Sequence, residues 1–426
     1  MTIKDVKAIE ILDSKGDPTI STRITLDSGV SAKGDVPSGA STGDTEVLEL
    51  RDGDKSRYRG KGVLKAVENV NNEIRKVILN KSFNTQDEFD RFLIDLDGTK
   101  QKSKLGGNAI LSLSMAFCRA TALEKGIPLY EYFAKIYTKD NYDHSFFKLP
   151  SPQILIMEGG LHGNWSTDFQ EYMVIPDEFR FVNFREKFRA GAEIFHAMHE
   201  VLKTKGYNAN VGFEGAYAPD EIQSNKEAFD IIMESIEKAG YKPYIDFRIG
   251  IDIASSEFYN KQAHKYELKR EKLELTTIQW LEKQLEWYKE YPMYSIEDPF
   301  NQEDWMGWQY LMREAGDKYQ VVGDDLLTTN MERIQKGINL KAMNAVLIKL
   351  NQIGSVTETI DAIRMTHEAG MKAIISHRGG ETNDDMIADL VVGTGASQSK
   401  FGGPDRGERL AKYNRLLEIE QELIKY

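Results

Sequence analysis

The sequence predicts a parallel (β/α)8 barrel preceded by a smaller α+β domain, and three observations carry that prediction. First, the later part of the chain repeats a short apolar run that ends in a charged residue and is followed by a helix-like stretch. RIGIDIAS ends at Asp252, MYSIEDPF at Glu297, YQVVGDDL at Asp324, AVLIKLN at Lys349, AIISHRGG at His377 and Arg378, and VVGTGASQSK at Lys400. Second, beyond the first interval these residues stand about 25 residues apart, the length of one strand-plus-helix unit. Third, groups placed just past successive parallel strands fall on the C-terminal face, where such barrels carry their chemistry.

Taken in chain order, residues 3–12 and 19–27 read as strands separated by DSKGDP, a turn-forming hexapeptide. PSGASTG at 37–43 reads as a glycine-hinged lid; it lacks the Gly-Lys-Ser/Thr ending of a phosphate-binding P-loop. Residues 64–78 and 108–126 carry apolar residues at helical spacing, the second stretch ending at Gly126. Strands followed by helices define an α+β domain over 1–140, linked by the polar segment 138–148 to a barrel domain over 141–426. The barrel alternation begins at LPSPQILIM, residues 149–157.

Composition narrows the class. Hydrophobic residues make up 41% of the 426 and charged residues 29%, the balance of an ordinary globular protein. A net charge of −12 argues against general nucleic-acid binding, which needs a cationic face. Cys118 is the single cysteine, so no intrachain disulfide forms, and its apolar neighbourhood predicts burial. No run approaches the roughly 20 apolar residues of a membrane span, and MTIKDVKAIEILDS has no signal-peptide core. No membrane association and a cytoplasmic location are expected.

Asp252, Glu297 and Asp324 are the metal candidates. Any one alone is more often a helix cap or a surface ion pair, but three at successive strand ends point to a hard cation such as Mg²⁺. Lys349 interrupts an apolar run, which places it in the barrel mouth; burial and nearby cations are expected to lower its pKa and suit it to be a general base. A structural lysine paired with one of the acids is the alternative. Arg378 beside His377 offers a planar fork for a phosphate or carboxylate, and Lys400 adds a point charge. Upstream, His162, Gln170, Glu171 and Glu214 are further candidates, since paired carboxylates resist double ionisation and one can keep its proton. His196 and His199 lack a zinc-protease arrangement and are assigned to packing or the surface.

These segments together resemble the enolase family. The resemblance runs over the whole chain through ILDSKGDPT, PSGASTG, LRDGDKSRY, GGLHGN, QEYMVIP, IDIASSEFY, SIEDPF, VGDD, LIKLNQIGS and SHRGGETND, in family order. It implies an N-terminal α+β capping domain and an enolase-type barrel that departs from regular alternation at its start. It also implies a lyase that interconverts 2-phosphoglycerate and phosphoenolpyruvate. By resemblance, Asp252, Glu297 and Asp324 hold one Mg²⁺, and Ser41 meets a second that arrives with substrate. Lys349 becomes the base and Glu214 the acid, assisted by Glu171 and Gln170, while His162 is the lid-associated histidine. His377, Arg378, Gly379 and Lys400 fall at substrate-anchoring positions. A small phosphorylated acid is the implied partner, within a homodimer or larger homo-oligomer.

Several positions depart from the family pattern. Gly379 stands where serine is usual, Phe213 replaces an aspartate before Glu214, and Glu158 replaces an asparagine. Ala216 and Tyr217 replace Gly-Phe, and Ser399 and Phe401 flank Lys400 in place of isoleucine and threonine. Lys15 and Ser21 replace the arginine and glutamate of the family's dimer contact, whereas Arg409, the usual partner of that glutamate, persists. Three readings follow: an enolase, a paralogue acting on an analogue such as a phosphonate, or a non-catalytic protein on the same fold.

Overall fold

The computed structural model describes residues 1–39, 43 and 45–424. β1 (Ile3–Leu12), β2 (Pro18–Leu26) and β3 (Ser31–Asp35) form an antiparallel sheet in that order. The turn between β1 and β2 is held by Asp13, whose Oδ1 accepts the backbone N–H groups of Lys15 at 2.8 Å and Asp17 at 2.9 Å. The helical run over 64–78 widens its pitch at Asn69–Ile74, and Asn71 ties it to β1 by bonding both the N–H and the C=O of Ala8. Helix Gly107–Glu124 is buried over most of its length, as its apolar composition requires, and packs on β2 and β3. Gly34 makes this approach possible: a Cβ there would lie 2.6 Å from Met115 Cβ. Cys118 is fully buried within that helix.

Eight strands then close a barrel. In spatial order they are β4 (Ser151–Glu158), β5 (Glu171–Pro176), β6 (Phe247–Asp252), β10 (Met293–Glu297), β11 (Gln320–Gly323), β12 (Ala345–Ile348), β13 (Lys372–Ser376) and β14 (Gln398–Lys400), which returns to β4. β5 runs antiparallel to both neighbours and every other pair is parallel. The departure at the start has a plain cause. Residues 159–170 fold back over the barrel mouth instead of crossing by a helix, and two helices, Phe184–Lys205 and Asn225–Lys238, precede β6. The long interval between Asp252 and Glu297 holds a small antiparallel sheet, β7 (Tyr259–Asn260), β8 (Lys265–Leu268) and β9 (Leu273–Leu275), and helix Thr277–Glu290.

The foot of the barrel is closed by a polar relay. Gln398 Oε1 accepts from Gln153 at 3.0 Å and Gln320 at 2.9 Å, and Gln320 also reaches Ser295 Oγ at 2.8 Å. Across the mouth, the first domain is stitched to the barrel. Ser14 N–H donates to Glu381 O at 2.7 Å, Ser38 N–H donates to Gly380 O at 2.7 Å, and Arg119 pairs with Asp384 at 2.5 Å. The capping domain therefore holds the loop after β13 against the pocket. Among the described residues no helix is long and apolar enough to cross a membrane.

Candidate active site

Strand register assembles the site. Glu158 pairs with Glu171, Glu171 with Asp252, and Asp252 with Glu297, so four carboxylates form one row across β4, β5, β6 and β10. Because β5 is reversed, its first residue meets the last residues of its neighbours. Each of the four is buried. Lys400, at the end of β14 and also buried, places Nζ 3.0 Å from Glu171, 2.7 Å from Glu297 and 3.3 Å from Asp252. Burial disfavours its ammonium, but these carboxylates outweigh burial and hold its pKa well above the usual lysine value.

Lys349 begins the turn after β12 and pairs with Asp324 Oδ2, while Gln352 Nε2 donates to Asp324 Oδ1 at 2.8 Å. The expected lowering of the Lys349 pKa is corrected here. Burial and the charges of Arg378 and Lys400 do oppose the ammonium, but the Asp324 carboxylate in contact with it, with Glu297 beyond, raises it overall. Asp324 is correspondingly held below its ordinary value by Lys349 against the effect of burial.

On the opposite side, His162 Nδ1 lies 3.4 Å from Glu214 Oε1 and 3.7 Å from Glu171 Oε1. His377 Nε2 lies 3.4 Å from Glu214 Oε2, and its Nδ1 faces Arg409 Nη1 at 2.7 Å. Arginine has only donors, so Nδ1 accepts and the proton of the neutral ring sits on Nε2, aimed at Glu214. Burial, reinforced by Arg409, pushes His377 down to about 4. Burial alone would raise Glu214, yet the imidazoles of His377 and His162 hold it well below the carboxylate range. With His377 held neutral, the imidazolium form opposite Glu214 is favoured at His162 rather than at His377. Burial opposes that charge too, but Glu214, Glu171 and Asp252 raise the His162 pKa. Glu171 is pushed up to about 8 by burial and by Glu214. The carboxyl whose protonated form is favoured is therefore Glu171 rather than Glu214, the residue that the resemblance makes the acid.

His162, Gln170, Glu171, Glu214, Asp252, Lys349, His377, Arg378, Gly379 and Lys400 line one small cavity together with Ser376. Glu297 and Asp324 join it through Lys400 and Lys349. Ser41 lies outside the described residues. Arg378 is buried, pairs with Glu46 at 2.9 Å and donates to Asn351 Oδ1 at 2.9 Å. Phe213, directly before Glu214, is half-exposed. His196 is exposed and His199 leans on Tyr217 at 5.8 Å, away from the cavity.

Sequence reasoning missed Glu46, Asn351, Gln352 and Ser376. The two amides had a readable signal, being polar residues immediately past a strand that already carried Lys349. Arg409 was read as a remnant of a dimer contact. It is fully buried, and besides His377 it donates to the carbonyl oxygens of Arg378 at 2.5 Å, Gly379 at 2.8 Å and Phe213 at 3.1 Å.

The donor set fits a hard divalent cation. Asp252, Glu297 and Asp324 offer only oxygen, and Glu297 Oε1 is buried without a hydrogen-bond partner among the described residues. Oxygens of Asp298, Asp324 and Asp325 also lie within 4.8 Å of one another. Asp298, however, accepts the N–H groups of Asp324 at 3.0 Å and Asp325 at 2.8 Å, so it shapes the loop that presents Asp324.

Two family models match the chain. One described as enolase, N-terminal domain, covers residues 3–133, and one described as enolase, C-terminal TIM barrel domain, covers residues 146–426.

Proposed function

Because this chain belongs to the enolase family, we propose that it is a Mg²⁺-dependent lyase that reversibly dehydrates 2-phosphoglycerate to phosphoenolpyruvate. The observation that carries this reading is the convergence, in one buried cavity, of a lysine on one side and an acid–imidazole cluster on the other. A proton taken at C2 and a hydroxyl lost from C3 need opposed groups of this kind.

Asp252, Glu297 and Asp324 would hold the cation, with Ser41 toward a second ion that arrives with substrate. Bound there, Mg²⁺ supplies Lewis-acid stabilisation of the negative charge that builds on the substrate carboxylate. Lys400 adds a fixed cation at the same place without reorganisation. Arg378 and His377 anchor the phosphate end. Lys349 accepts the C2 proton, and for this it must first be neutral; Asp324, which now stabilises its ammonium, sets the cost of that step. The C3 hydroxyl leaves as water with a proton from the Glu214–Glu171–His162 cluster. Glu171 stores that proton near neutral pH, and Glu214, between two imidazoles, is placed to pass it on. The assignment of a lysine base with magnesium to enolase-type sites is a general pattern.

Gly379 favours a second reading. A missing hydroxyl at a phosphate-anchoring position suits a substrate whose anionic group is altered, such as a phosphonate analogue. The test uses purified protein with Mg²⁺ and 2-phosphoglycerate, following phosphoenolpyruvate and, in D₂O, exchange at C2. Lys349→Ala is expected to abolish exchange while Mg²⁺ binding persists. Unaltered exchange in that variant would remove the lysine from its role. Exchange on other 2-substituted acids, with little dehydration of 2-phosphoglycerate, would favour the paralogue.

A further inference from the structure

Glu158 is the fourth carboxylate of the register row, and the mechanism above does not use it. It is fully buried. Its Oε1 accepts the backbone N–H groups of Glu214 at 3.0 Å and Ala216 at 2.9 Å, straddling Gly215, whose φ of +80° lies in the left-handed region. Its own N–H donates to Tyr217 O at 2.8 Å. The carbonyl side of the same turn is held elsewhere, Phe213 O by Arg409 at 3.1 Å and Glu214 O by Gly403 N–H at 2.8 Å. Glu158 is thus the side chain that fixes the N–H side of the turn presenting Glu214. Its second oxygen, Oε2, is buried with no hydrogen-bond partner among the described residues and faces the backbone at Gly212. An ionised carboxylate is costly in that setting, and a neutral acid is far less so.

We propose that Glu158 is a positioning residue for Glu214: it clamps the 214–216 turn through Oε1 and does so as a neutral carboxylic acid.

The proposal rests on the acid role given to the Glu214 cluster. The groups facing Glu158 are Glu214 on the clamped turn, Glu171 on the paired strand and Arg409 from the last helix. Burial and Glu214 push it up to about 8, against the pull of the two backbone N–H groups and Arg409. The folded protein therefore holds a proton that the unfolded chain releases at the ordinary glutamate value. Stability from this group is complete at acid pH and is lost as pH rises toward about 8.

The experiment compares the parent with Glu158→Gln and Glu158→Ala. Glu158→Gln keeps the acceptor and cannot ionise, so its Tm advantage over the parent should widen from pH 5 to pH 8 and then level off, by about 2 °C or more. A gap that stays flat across that range overturns the neutral-acid assignment whether or not any substrate turns over. With turnover, Glu158→Ala should lower kcat on the order of tenfold or more with little change in KM. Glu158→Gln should recover most of that loss and move the alkaline limb of the pH profile upward. Equal kcat in Glu158→Ala and the parent would overturn the positioning role. Absence of activity in the parent would count against the lyase reading alone, since the Tm series still decides on Glu158.

Discussion

Single residues in this pocket are defined by their partners more than by their type. Lys349 was legible in the sequence as a buried lysine, because a charge inside AVLIKLN has nowhere exposed to go. The sign of its pKa shift was not legible, since it depends on a contact with Asp324 made 25 residues away in sequence. Arg409 carried no local signal: it sits on a polar-looking final helix and is buried because the loops at Arg378–Gly379, Phe213 and Ser14 converge on it. Gly379 is the departure with the clearest energetic meaning. A hydrogen bond to a charged group contributes about 1.5–3 kcal/mol, so Gly379→Ser is expected to lower the KM for 2-phosphoglycerate by about tenfold or more. Steady-state kinetics on the variant checks this; an unchanged or higher KM would place the position away from the phosphate.

At the level of elements, strands and helices were readable wherever local pattern and tertiary role agreed. The charged strand ends gave the six later barrel strands, because a buried parallel strand is a short apolar run and its C-terminal end opens on the mouth. The reversed β5 could not be read from periodicity, since EYMVIP is buried throughout; its direction is marked only by Glu171, which stands at the start of the strand where the later barrel strands carry their charge at the end. Helix starts were better marked. Thr276 and Gln279 form a reciprocal cap on helix Thr277–Glu290, which lays the fully buried Trp280 against the loop after Glu297 through Nε1 to Pro299 O at 2.8 Å. Thr276→Ala should cost about 1 kcal/mol of stability and leave the kinetics of the pocket untouched. Denaturant unfolding monitored by fluorescence would measure it, and a loss well above that figure would mean that the cap also anchors the 297–301 loop.

For the molecule as a whole, protons and metal compete for one acidic row. Burial, then Asp252, lifts Glu297 well above the usual carboxylate range, and Glu171 titrates at about 8. Both acids bind protons more tightly folded than unfolded, so the stability they lend is present at acid pH and falls away as pH rises, for Glu171 toward about 8. Mg²⁺ binding requires Glu297, one of its three proposed ligands, in the ionised form, so the rise in Tm on adding Mg²⁺ to chelator-treated protein should grow as pH is raised from 6 to 8.5. At a hundredfold excess over Kd the linkage amounts to about 2.7 kcal/mol. Differential scanning fluorimetry across that range tests it; a pH-independent rise would mean that the cation binds elsewhere.

The alignment of Glu158, Glu171, Asp252 and Glu297 on adjacent strands behaves like the teeth of a comb. Side chains alternate faces along a strand, so dropping one residue from any of these strands would turn its tooth outward while the other three stayed in place. New chemistry on this scaffold is therefore open to exchange of the amino acids at the tips, as at Glu158, and closed to changes in strand length.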